Sequence, residues 1–199
     1  VIEYAILAVA VAALCCGLRG SGMALAGFAT TGIARPLMAP LRAGYAVPYE
    51  GAGLMLFLAT EVALFVLPPA VIVWALGWPK SAAAIWLCLL VAVAVMYPGV
   101  RGDDLLRFYA AAYLAVYGTS AAVLTWRGAR ADGLSLDQLG LLLVVLAGAA
   151  AAILVMIYGA AQWSLTWIPN GASAALVLAL ALVHRRRRSG SPLPPRDDD

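Results

Sequence analysis

The chain has 199 residues, of which 64% are hydrophobic and 12% charged, with a mean hydropathy of +0.94 and a net charge of +3. A water-soluble domain of this length carries about twice that charged fraction. The composition therefore excludes an ordinary soluble globule and points to lipid as the main solvent. The apolar runs are continuous rather than alternating, which favours helices over a membrane barrel. The expected fold is all-α: a polytopic transmembrane helical bundle of about five to six spans over residues 1–188, followed by a disordered polar tail at 189–199.

In chain order, the first apolar run is Val1 to Leu18, interrupted by Glu3. Either Val1 is an unusual start or residues precede it; the run lacks the basic start and cleavage site of a signal peptide. Residues 19–50 are mixed. Within them Ser21 to Ala34 is apolar, short and rich in Gly and Thr, the pattern of a re-entrant or interfacial piece. Gly51 to Trp78 reads as the second span, with a kink expected at Pro68-Pro69 because proline lacks a donor and crowds the preceding turn. Ala82 to Tyr97 is the third. A charged loop around Arg101, Asp103 and Asp104 leads into the fourth, Leu105 to Trp126. The fifth is roughly Gln138 to Ala160 and the sixth Ile168 to Val183, with Pro169 near its start. The tail Ser189 to Asp199 is rich in Pro, Ser and Asp. The chain shows no internal repeat and has no room for a separate soluble domain.

Four consecutive arginines, Arg185 to Arg188, follow the last apolar run. At a membrane edge such a run is a topology anchor on the cytoplasmic side rather than a nucleic-acid surface, and an anionic-lipid contact is the sharper alternative. Cys15, Cys16 and Cys88 form no Cys-x-x-Cys motif and read as small apolar core residues, with a metal relay through Cys15 and Cys16 as the sharper alternative. A single histidine, His184, excludes bis-histidine haem ligation within the chain. No metal ligand set emerges.

Charge inside a bilayer is costly, so each such residue is a functional candidate. Glu61 stands out, roughly 15 Å into the second span at 1.5 Å per residue. It is either a hydrogen-bonded structural carboxyl or a member of a proton path. Glu50, Asp103 and Asp104 lie where helices begin, and acids there complement the helix dipole. Gly20-Ser21-Gly22 resembles a hydrolase corner only superficially, since no histidine is placed to act as its base. The chain also lacks a P-loop and a dinucleotide loop. No residue is assigned as catalytic.

Residues 41–78 read LRAGYAVPYEGAGLMLFLATEVALFVLPPAVIVWALGW. Leu41, Ala43, Gly44, Tyr45, Tyr49, Gly51, Leu56, Phe57, Glu61, Ala63, Gly77 and Trp78 resemble a stretch of the quinone-site membrane subunit of NADH-quinone oxidoreductase, a family related to membrane-bound hydrogenase subunits. Further on, Arg101, Asp103, Leu105 and Arg107 match in register the loop that opens that family's final helix. The resemblance covers about residues 35–126 and makes the chain a divergent or truncated member. Residues 30–42 contain no acid where the family has several, the acid beside Tyr49 is displaced, and two extra spans follow.

The resemblance implies a membrane subunit of a redox-driven, proton-translocating respiratory complex in the inner cell membrane. Glu61 would lie on the proton path. Tyr49, Glu50, Arg101 and Asp103 would lie at the quinone site or subunit junction. Any enzymatic activity would be that of NADH:quinone oxidoreductase, with quinone as substrate. This chain would hold no redox cofactor, and its partners would be the lipid bilayer and other membrane and iron–sulfur subunits, not nucleic acid. The loops at 19–50 and 98–104 would face the cytoplasm, and with six spans Arg185 to Arg188 would then face outward, against the positive-inside rule. The competing expectations are a small stand-alone scaffold or transporter and, more distantly, a lipid-modifying enzyme, since residues 104–118 and 133–139 faintly resemble the end of prolipoprotein diacylglyceryl transferases.

Overall fold

The computed structural model describes residues 1–43, 66–78, 80, 84, 102–159 and 164–189, with the backbone alone at 35–43 and 102–106. Six helices run through the continuous stretches of these residues: α1 (Ile2–Cys15), α2 (Arg19–Ala43), α3 (Leu67–Ala75), α4 (Gly102–Arg130), α5 (Leu136–Tyr158) and α6 (Trp167–Ser189), and the isolated residues 80 and 84 are also helical. No strand occurs among them. Three of the helical segments, 107–130, 136–158 and 164–189, are long and apolar enough to cross a membrane, and α1 is a shorter apolar helix. The chain is thus a membrane-embedded helical protein. Three membrane-length helices stand among the described residues, against the five to six spans expected for the whole chain.

The helices form a closed ring of neighbours. Successive helices pack against each other from α1 to α6 by way of α2, α3, α4 and α5, α6 returns to α1, and α2 also packs across the ring on α5. Ile6, Ala10 and Ala13 of α1, Leu25 of α2, Ile72 of α3, Tyr117 and Leu124 of α4, Val144 and Val145 of α5, and Ala174 and Val177 of α6 fill the shared core. Small residues set the spacing. A Cβ at Gly22 would stand 2.7 Å from Leu14 Cγ, one at Gly27 3.2 Å from Pro68 Cα, and one at Gly148 2.8 Å from both Phe28 Cζ and Tyr117 Cε2. Lipid gives apolar helices no reason to associate, so close backbone approach and dispersion must hold them together. Thr30, Thr31, Thr119 and Thr125 return their hydroxyl protons to the carbonyl four residues earlier, which leaves no hydroxyl donor unmatched at these four positions.

Three features differ from the sequence reading: α2, the extent of α6 and the exposure of Cys15. Ser21 to Ala34 is not a separate short piece: it belongs to the 25-residue helix α2. At about 1.5 Å per residue this helix rises some 37 Å, running from Arg19 to beyond Gly32, which packs on the Glu3 side chain near the start of α1. Pro68 and Pro69 stand in the first turn of α3, where the missing donor has no intrahelical acceptor to lose, and residues 51–65 of the expected second span lie outside the described residues. Helix α6 continues through all four arginines to Ser189. Cys15 is exposed rather than a core residue, while Cys16 is half-buried against the core, and neither is bridged.

The helix ends follow local chemistry. α1 ends at Cys16 with Gly17 at φ +93°: the Gly17 N–H donates to Leu14 O (3.0 Å) and the Leu18 N–H to Ala13 O (2.9 Å). This is the paired closure of a Schellman turn, which needs a left-handed residue. α3 ends the same way at Gly77 (φ +79°). α4 closes with Asp132 in the left-handed position at φ +53°, and the Gly133 N–H reaches Gly128 O at 2.9 Å. α5 opens with a capping box, the Ser135 Oγ accepting from the Gln138 N–H and the Gln138 Oε1 from the Ser135 N–H.

Candidate functional site at the arginine-rich end

These closures gather at one end of the bundle. The turn between α1 and α2, the end of α3, the turn between α4 and α5, and the last turns of α6 meet there. Three contacts tie them. The carboxylate of Asp137, in the first turn of α5, accepts from the Gly20 N–H through Oδ2 (2.9 Å) and from the Ser21 N–H through Oδ1 (3.0 Å). Ser21 Oγ lies 2.6 Å from Asp137 Oδ1 and 3.0 Å from Asp137 O, so its one proton has two acceptors, the carboxylate the nearer. Arg127 Nη1 donates to Leu76 O at 3.2 Å, satisfying a carbonyl at the end of α3. A Cβ at Gly17 would stand 3.1 Å from Arg188 Nη1, which puts that guanidinium over the α1–α2 turn.

The Asp137 arrangement supplies from α5 the cap that α2 lacks in its own sequence. A helix leaves its first amide donors without intrahelical partners, and a carboxylate near that terminus also complements the dipole. Residue 20 is a glycine, and a Cβ there would stand 3.1 Å from Asp137 Oδ2; a Cβ at Gly140, one turn into α5, would stand 2.5 Å from Ser21 Oγ. Two helix starts therefore lie side by side with one carboxylate between them. The Gly20-Ser21-Gly22 sequence serves this junction, and Ser21 is fully buried in it.

Around the junction stand Arg19, Arg127, Arg130 and Arg185 to Arg188, seven of the chain's 13 Lys and Arg residues. The Arg130 guanidinium lies over the Trp126 ring at 4.2 Å and that of Arg127 near the Trp78 ring at 5.9 Å. Such stacks desolvate one guanidinium face while leaving the in-plane donors open. Tryptophans mark the depth where a bundle meets the headgroups. His184 Nε2 is buried beside the arginine run without a hydrogen-bond partner. Chemically, this end can neutralise and hold anions at a membrane surface.

The candidates named from the sequence lie elsewhere. Glu61, Tyr49, Glu50 and Arg101 fall outside the described residues. Asp103 is in the first turn of α4 by its backbone, where an acid complements the dipole. Gly102 begins α4 at the end opposite Arg127 and Arg130, so residues 19 and 102 lie at opposite ends of the bundle. Sequence reading passed over Asp137. Its local signal was the Ser135-x-x-Gln138 box, which fixes the start of α5 and thus places Asp137 in a first turn. Its partner, 117 positions away, had no local signal.

Comparison with protein-family models, curated proteins and solved structures finds no match for this chain.

Proposed function

We propose that the chain is a multi-pass protein of the cell membrane, oriented with its arginine-rich end in the cytoplasm, and that it works as a small stand-alone scaffold with no redox role. The observation that carries this is the gathering of Arg19, Arg127, Arg130 and Arg185 to Arg188 at one end by three separate turns. Cytoplasmic loops hold an excess of Lys and Arg, and the seven arginines at this end outnumber Arg35, Arg42 and Arg107 toward the other. The polar groups at this end, Asp137 and Ser21 above all, are engaged in fixing helices to each other, which is the work of a scaffold.

A second reading is favoured by the ordered motifs at 41–78 and 98–107: a membrane subunit resembling the quinone-site subunit of NADH-quinone oxidoreductase, with Glu61 on a proton path and quinone as substrate. The two readings differ in orientation. The resemblance expects both 19–50 and 98–104 in the cytoplasm, but 19–43 is one helix and Arg19 and Gly102 lie at opposite ends; with Gly102 on the cytoplasmic side the arginine-rich end faces outward. Pull-down of the tagged chain from native membranes in mild detergent separates the assemblies. Recovery of the chain without redox subunits fits the scaffold. Recovery of iron–sulfur and antiporter-like subunits overturns it in favour of the redox reading. In that case Glu61→Gln should abolish coupled proton movement while leaving assembly intact, and unchanged pumping would remove Glu61 from the path.

A further inference from the structure

Helix α6 carries a feature that neither orientation nor scaffolding requires. Between Trp167 and His184 it rises roughly 25 Å, close to the thickness of a bilayer's hydrocarbon core. Toward its end Leu182, Arg185, Arg186 and Ser189, spaced i, i+3, i+4 and i+7, share one face of the helix and line a shallow, open cleft. Its apolar member is Leu182, which is 51% exposed. Its rim is basic. Ser189 Oγ donates to Arg185 O, which occupies that hydroxyl and leaves the two guanidinium groups as the cleft's donors. Among the described residues neither Arg185 nor Arg186 pairs with a carboxylate. Arg188, by contrast, is turned onto Gly17 of the α1–α2 turn. Of the four consecutive arginines, Arg188 thus contacts the bundle while Arg185 and Arg186 line the cleft.

We propose that this cleft is a binding site for an anionic phospholipid. The phosphodiester would lie between Arg185 and Arg186, whose planar forks match phosphate oxygens, and an acyl chain would lie down the exposed Leu182 side of α6. Charge complementarity selects an anionic headgroup over a zwitterionic one, and the exposed Leu182 beside the arginines selects a lipid over a free anion. A topology anchor alone requires only positive charge on that side and would not distinguish one arginine from another.

The test is native mass spectrometry of the purified full-length chain in detergent, titrated with phosphatidylglycerol or phosphatidylcholine. Retention of phosphatidylglycerol in clear preference to phosphatidylcholine is expected. The double substitution Arg185→Gln/Arg186→Gln should weaken phosphatidylglycerol binding about thirtyfold, the attraction of two basic side chains near a membrane surface. Arg35→Gln/Arg107→Gln, which removes the same charge from the opposite end of the bundle, should leave it unchanged. Equal binding of the two lipids, equal weakening by both double variants, or displacement of the lipid by equimolar inorganic phosphate would each overturn the proposal.

Discussion

Asp137 shows how much one side chain can hold in this bundle. Its two oxygens take up the Gly20 and Ser21 amides of another helix, and Ser21 Oγ returns a third contact. Hydrogen bonds to a charged group contribute about 1.5–3 kcal/mol each, and an abandoned buried donor costs about 1–3 kcal/mol. Asp137→Ala should therefore destabilise the protein by about 3 kcal/mol, read as a lowered thermal midpoint in detergent. Ser21→Ala, which leaves both amides capped, should cost about 1 kcal/mol. Equal losses from the two would mean that the carboxylate does not cap α2. Asp132 gives the opposite sign. It stands at φ +53° in the closing turn of α4, a left-handed conformation that Asp tolerates better than most L-residues but glycine adopts without steric cost. Asp132→Gly should raise stability by about 0.5–1 kcal/mol in the same assay.

At the scale of elements, several helix contacts pair a glycine on one helix with a large side chain on another. Gly148 faces Phe28 and Tyr117, whose rings are themselves 5.8 Å apart, and Tyr117 stacks on Tyr113 at the same centroid distance. A methyl group there has no space without moving an aromatic ring. Gly148→Ala should thus cost about 1–3 kcal/mol, the usual penalty for overpacking. Gly118, whose added Cβ would meet nothing within 4 Å, is the control: Gly118→Ala should be neutral or slightly stabilising, since alanine is the better helix former. Both are measured by thermal unfolding alongside the Asp137 series.

The helices themselves were largely legible in the sequence, because continuous apolar runs of the right length permit little else in lipid. The runs read at 105–126, 138–160 and 168–183 became α4, α5 and α6, each extended at one end or both. Helix α2 was less legible. Its Gly and Thr content lowers helix propensity, and the packing on α1, α3 and α5 that compensates is not local. The start of α3 at Pro68-Pro69 turned on whether proline begins a helix or bends one, which pattern alone leaves open. At the arginine-rich end, the four-arginine run was visible in the sequence, whereas the junction of Ser21 with Asp137 required the fold to bring residues 116 positions apart together.

At the scale of the whole molecule, the decisive property is polarity along the bundle axis. The α1–α2 and α4–α5 turns and the last turns of α6 share one end, and each brings arginine to it. The clearest measurement is the side of the membrane on which that end lies. Ser189→Cys, in a chain whose Cys15, Cys16 and Cys88 are replaced by alanine, supplies a single thiol beside the arginine run. A membrane-impermeant maleimide is added to intact spheroplasts and, separately, to lysed ones. Labelling only after lysis is expected, with the arginine-rich end in the cytoplasm. Labelling of intact spheroplasts would contradict the scaffold's proposed orientation, and would put residues 98–104 where the resemblance to the quinone-site subunit requires them.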